Sequence, residues 1–117
     1  MTIERIGLAA RYCDAAIFNG IIFLAGHVAE KTEGASLTEQ TEEVLALLED
    51  TLAQAGSRKE RILSVQIFLI DISKIGEMNA VWDKWVAKGH SPARATVEAK
   101  LASPGYAIEI TAVAAKG

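Results

Sequence analysis

The sequence predicts an α+β domain in which one sheet carries two helices on a single face, in the order β-β-α-β-α-β-β. Three observations predict it. Asn19-Gly20 sits between two apolar runs, and these residues tolerate the positive φ angles that a tight hairpin turn requires. At Ser36 the apolar spacing changes from every second residue to every third or fourth. From Ile62 onward a strand, a helix and two more strands follow in turn. Crossovers within one sheet are right-handed almost without exception, so two crossovers running the same way put both helices on the same face.

Each element has its own signature. Ala15–Phe18 and Ile21–Ala25 form the hairpin strands, and residues 2–7 are a candidate short strand before them. Ser36-Leu37-Thr38-Glu39 is a capping-box pattern with Ser36 at the N-cap. Thr41, Val44, Leu45, Leu48, Leu52 and Ala55 then recur at helical spacing until Gly56 ends the run. Ile62–Ile70 alternates as a strand, with Leu63, Val65, Ile67 and Leu69 expected on one face and Ile62, Ser64, Gln66, Phe68 and Ile70 on the other. A second helix is expected over Ser73–Lys88, with Ile75, Met78, Trp82, Trp85 and Val86 on its buried side. Strands at Arg94–Leu101 and Ile108–Ala114, joined by a turn at Ser103-Pro104-Gly105, close the chain.

The 117 residues make a single domain, 1–117, with 50% hydrophobic and 23% charged residues, a balance that excludes disorder. A domain of this size buries only about 65% of its unfolded surface, so half apolar is a surplus. The sheet face opposite the helices has nothing in the chain to cover it. Ser64, Gln66 and Phe68 on one strand and Arg94, Thr96, Glu98 and Lys100 on another are expected there. A face of mixed character suits packing against further copies of the chain, although an antiparallel sheet also tolerates water on one side.

Charge and composition exclude several function classes. A formal net charge of −3 lacks the basic footprint of a general nucleic-acid binder. A single cysteine, Cys13, forms no internal disulfide and fits a reducing compartment. Cys13, His27 and His90 match no zinc spacing. No run approaches the ~18 apolar residues of a membrane span, and Met1–Arg5 lacks the apolar core of a signal peptide. A cytoplasmic protein without membrane or nucleic-acid partners is expected.

Phosphate-loop, dinucleotide, serine-hydrolase and zinc-protease motifs are absent. One local arrangement stands out. Ser91-Pro92-Ala93-Arg94 ends a loop and starts a strand, which places a guanidinium behind a rigid proline and suits bidentate contact with a small carboxylate. Glu109, between Ile108 and Ile110, takes the face opposite them and is a candidate to hold or deprotonate a water. On spacing alone, the simpler reading is a cross-strand ion pair of Arg94 with Glu109.

A longer resemblance bears on that choice. Arg11–Ala16, Ile22–His27, Glu39–Leu45, Leu52–Gly56, Ile67–Asp71, Met78–Trp82, Pro92–Val97 and Ile108–Ala114 occur in the order and at about the spacing of one family. On these stretches the chain resembles the RidA/YjgF reactive-intermediate deaminases nearly end to end. The resemblance implies a chorismate-mutase-like fold and a homotrimer whose sheets line a central barrel, with active sites between subunits. It also implies hydrolysis of 2-imino or enamino acids to 2-keto acids and ammonia, with no cofactor and no metal. Arg94 matches the substrate arginine and Glu109 the water-positioning glutamate. Tyr12, Gly26, Asn79 and Thr96 match positions that line the cleft.

The chain also departs from that family. Ala25-Gly26-His27 stands where many members have Ser-Gly-Gln, Thr96 where a cysteine is common, and the segment from Asn79 to Pro92 is shorter. These differences mark a divergent subgroup, in which His27 and His90 are further candidates to line the cleft and Cys13 reads as structural. Two alternatives belong to other classes: a non-catalytic keto-acid binding protein using the same cleft, and a chaperone-like or ribonuclease role, against which the acidic charge counts.

Overall fold

The computed structural model describes residues 2–117, and Met1 of the N-terminal stretch read above lies outside the described residues. Six strands, β1 (Glu4–Ile6), β2 (Ala15–Phe18), β3 (Ile21–Val28), β4 (Ile62–Leu69), β5 (Ala93–Glu98) and β6 (Ile108–Ala115), form one sheet in the order β1-β2-β3-β6-β4-β5. Helices α1 (Leu37–Gln54) and α2 (Ile75–Trp85) pack on one face of it. β4 and β5 are parallel and every other pair is antiparallel. β6, the last strand, therefore inserts between β3 and β4.

Local chemistry sets the elements. Asn19 and Gly20 take φ of 54° and 76°, the paired left-handed conformations of a two-residue hairpin turn. The N–H of Glu39 donates to Ser36 Oγ at 3.1 Å, and that hydroxyl donates to Glu39 Oε1 at 3.2 Å. Val44, Leu45, Leu48 and Leu52 of α1 are buried against Ile22, Leu24, Val65, Ile67, Ile110 and Ala112 of the sheet.

The structure corrects several boundaries and faces. α2 spans Ile75–Trp85 rather than Ser73–Lys88: Asp71 caps a separate 3₁₀ turn over Ile72–Lys74, and Val86 is already extended although its N–H still reaches the Trp82 carbonyl. β5 stops at Glu98, three residues before the expected end. In β4 the register slips between Ile62 and Ser64. This bulge turns Ile62 inward and leaves Leu63 exposed, so the expected alternation holds only from Ser64 onward.

The correction that matters for the site concerns β5. Arg94 pairs with Val65, Thr96 with Ile67 and Glu98 with Leu69. Paired residues share a face, and these three partners are buried beneath the helices. Arg94, Thr96 and Glu98 therefore lie on the helix side, and Lys100 lies beyond the strand. The uncovered face carries Ala95 and Val97 instead, beside Ser64, Gln66, Phe68, Phe23 and Val113. It is more apolar than expected, with Phe23 53% and Val97 47% exposed.

Candidate functional site

Arg94 is the second residue of β5, an edge strand hydrogen-bonded only to β4. Its guanidinium carbon lies 5.2 Å from the ring centroid of Trp82, on α2. Among the described residues it has no ion-pair or hydrogen-bond partner. Among the described residues two side-chain polar atoms are buried without partners, Thr96 Oγ1 on β5 and Asn79 Oδ1 on α2. Buried polar atoms are nearly always paired, so these two are exceptions, one on the strand that carries Arg94 and one on the helix that carries Trp82.

A second group forms at β3 and β6. The ladder steps from Leu24 opposite Ala112 to His27 opposite Ile110. Ala25 and Gly26 thus face the single residue Thr111, a β-bulge. A Cβ built on Gly26 would lie 2.8 Å from the Glu109 carboxyl carbon and closer still to Oε2. Glycine is what lets the Glu109 carboxylate rest against the backbone here, on the uncovered side of the sheet. His27 projects to the helix side, where its Nδ1 donates to the Ala25 carbonyl at 2.7 Å and its Nε2 lies 2.8 Å from Thr51 Oγ1. Gly26 and His27 line a cavity of about 290 Å³ with Tyr12, Asp14, Glu30 and Asp50.

The structure thus sets Arg94 and Thr96 on β5 and Asn79 on α2, and Gly26 against Glu109, with Tyr12 in the helix-side cavity that Gly26 and His27 line. It does not join the two groups. β4 separates Arg94 from Glu109, which pairs with Phe68, three positions along from Val65. That is roughly 10 Å along the strands and roughly 10 Å across them, with the two side chains on opposite faces. The cross-strand ion pair is therefore absent, and Lys116–Glu4 at 3.7 Å is the one ion pair among the described residues. His90 is exposed, its ring against the Lys88 carbonyl, apart from both groups.

Two supporting residues escaped the sequence reading. Gln40 is 1% exposed. It donates from Nε2 to the Ala35 and Gly105 carbonyls, both at 3.0 Å, and accepts from the Ala107 N–H at 2.8 Å. It thereby fixes the entry to β6 two residues before Glu109. Its signal was a polar residue at a core position of the helical pattern. Glu43 accepts from the N–H groups of Lys31 and Thr32 and from the Thr32 hydroxyl, which pins the loop after Glu30. Partial burial works against its charge, but these hydrogen bonds outweigh burial and hold its carboxyl below the usual range. Among the described residues no three His, Cys, Asp or Glu side chains cluster as metal ligands, and no helix is long and apolar enough to cross a membrane.

A helix-backed mixed sheet with a guanidinium on one edge strand and a glycine-cradled carboxylate two strands away defines a small α+β class. The profile of the family described as Endoribonuclease L-PSP matches residues 2–116. A RutC family protein of Haemophilus influenzae is 46% identical over 114 residues, covering 97% of this chain and 98% of its own. The RutC family protein YoaB of Escherichia coli is 44% identical over 115 residues, covering 98% and 99%. The crystal structure of NMB1025, a member of the YjgF protein family from Neisseria meningitidis, superposes with a TM-score of 0.96 at 46% identity, covering 100% of this chain and 97% of that one. The chain belongs to this RutC/YjgF family.

Proposed function

We propose that the chain is a cofactor-independent hydrolase of reactive 2-imino and enamino acids, of the 2-iminobutanoate/2-iminopropanoate deaminase type. It works as a cytoplasmic homotrimer whose subunits cover one another's open sheet faces. The observation that carries this reading is the division of the site. Among the described residues Arg94 has no acceptor and Glu109 no hydrogen-bond or ion-pair partner, yet within one chain they are too far apart, and on the wrong faces, to hold one small substrate. A neighbouring copy supplies the missing half: Arg94, Thr96 and Asn79 come from one subunit, and Tyr12, Gly26 and Glu109 from the next.

The chemistry follows from these groups. Arg94 clamps the substrate carboxylate, which fixes C2 of the adjacent C=N bond. Water held by Glu109 adds to C2 of the protonated imine as Glu109 takes one of its protons, giving a neutral carbinolamine. Glu109 returns that proton to the nitrogen, C–N breaks as the hydroxyl oxygen forms the C=O bond, and the hydroxyl proton leaves with ammonia as ammonium, releasing the 2-keto acid. A protonated imine is already electrophilic, so positioning and one basic carboxylate supply most of what is needed.

The name endoribonuclease attached to the family suggests another reading. Tyr12 and His27 share their cavity with Asp14, Glu30 and Asp50, and the net charge is −3, an arrangement that repels a phosphate backbone. A keto-acid binder without turnover would use the same anchor but not need Glu109.

The deciding assay generates 2-imino acids in situ with an amino-acid oxidase and follows ammonia. Wild type is expected to accelerate release, and Arg94→Ala to abolish the effect. Glu109→Ala is expected to keep keto-acid affinity and lose turnover. A folded trimer that accelerates none of several side chains would refute the activity.

A further inference from the structure

We infer that Trp82, backed by Trp85, is the positioning residue for Arg94 and so sets how tightly the carboxylate is held; this rests on the reading of Arg94 as the anchor. Arg94 leaves an edge strand, with no further strand beyond β5 to restrain it. Its guanidinium stands over the Trp82 ring at 5.2 Å, within cation–π range. An acidic neighbour would hold it more strongly, but would neutralise it and occupy its N–H groups. An aromatic face restrains the cation and leaves the in-plane donors open to an incoming carboxylate.

Trp82 is itself held firmly. It is 6% exposed, and its ring tilts against Trp85 at 5.4 Å and 48°. Trp85 is fixed in turn from α1 and from the turn before β4. Its Nε1 donates to Glu49, and Lys59 Nζ lies 5.3 Å from its ring centroid while donating to its carbonyl at 2.6 Å. Arg94, Trp82, Trp85 and Lys59 thus form one stack of two rings between two cations. Both tryptophans of the chain stand in it. The stack ties the orientation of an exposed arginine to the packed contact between α1 and α2.

The test uses 2-oxobutanoate, the keto-acid product, as probe, with affinity measured by calorimetry and KM and kcat by the ammonia assay. Trp82→Leu is expected to raise the Kd and KM about five- to tenfold with kcat changed far less, and Trp82→Phe to restore both most of the way. In Trp85→Phe protein, where Trp82 is the one fluorophore of its kind, 2-oxobutanoate is expected to change the emission with a midpoint at the calorimetric Kd. That measurement decides the matter if Trp82→Leu does not fold. Unchanged affinity in Trp82→Leu, no rescue by phenylalanine, or silent Trp82 emission at saturation overturns the inference. Failure of wild type to bind 2-oxobutanoate, or equal binding by Arg94→Ala, instead overturns the reading of Arg94 beneath it.

Discussion

Replacing Gly26 by alanine adds one methyl group where the β3 bulge meets Glu109. The new Cβ would sit 2.8 Å from the Glu109 carboxyl carbon, against 3.4–4 Å for ordinary contact. Gly26 is not among the residues of positive φ, so alanine strains no backbone angle and the clash falls on a side chain with rotatable bonds. Relief moves the carboxylate by about 1 Å, and a displacement of that size at a reacting group costs about a hundredfold in rate. Overpacking of one methyl group costs only about 1–2 kcal/mol of stability. The expected signature is therefore a large loss of imine hydrolysis in a protein whose urea midpoint moves little. In a Glu109→Ala background, where the clash is gone, Gly26→Ala should change nothing further. Activity within twofold of wild type, or a loss that merely tracks the folded fraction, would refute the close approach as a catalytic requirement.

Other substitutions probe the surroundings. Gln40→Leu strips the Ala107 N–H and the Ala35 carbonyl of partners, while Gly105 keeps a bond from Gly34. About 3 kcal/mol is expected to be lost in denaturant titration, and a loss below 1 kcal/mol would show that water replaces the amide. Glu43→Gln tests linkage. The native carboxyl titrates below its ordinary range, so its stabilisation is present above the unfolded value and is lost as pH falls through the native one. Wild type should exceed Glu43→Gln by about 1 kcal/mol at pH 7, with the gap closing below about pH 4; parallel stability curves would contradict this. Phe23→Glu places a charge on the open face without touching the helix-side core. Sedimentation should report folded monomers, and an unchanged assembly would remove that face from the interface.

The sequence disclosed those features whose cause is local. Asn19-Gly20 and the Ser36–Glu39 cap act within a few residues, and both elements stand where expected. The Leu63 bulge depends on the register of β4 against β6, which no residue near Leu63 announces. The facing of Arg94 is hidden in the sequence for a related reason. Period two divides a strand into two sets, but the pairing of Val65 with Arg94 decides which set meets the helices, and β5 as an exposed edge strand has little apolar contrast to reveal it. Arg94 and Glu109 stand out from their local arrangement, whereas their assigned roles and the choice of Tyr12, Gly26, Asn79 and Thr96 come from family resemblance. The contact of Gly26 with Glu109 and the stack beneath Arg94 join segments far apart in sequence, and only the folded chain displays them.

The proposed division of the site between chains has a genetic consequence. Under that proposal, subunits lacking Arg94 and subunits lacking Glu109 are each expected to be inactive alone, since every junction in either assembly would miss one half. Unfolded together in equal amounts and refolded, they distribute at random around the three-fold ring. About one junction in four then receives its arginine half from one parent and its carboxylate half from the other. Two dead proteins should recover about a quarter of wild-type activity on mixing, whereas a site contained in one chain would recover none.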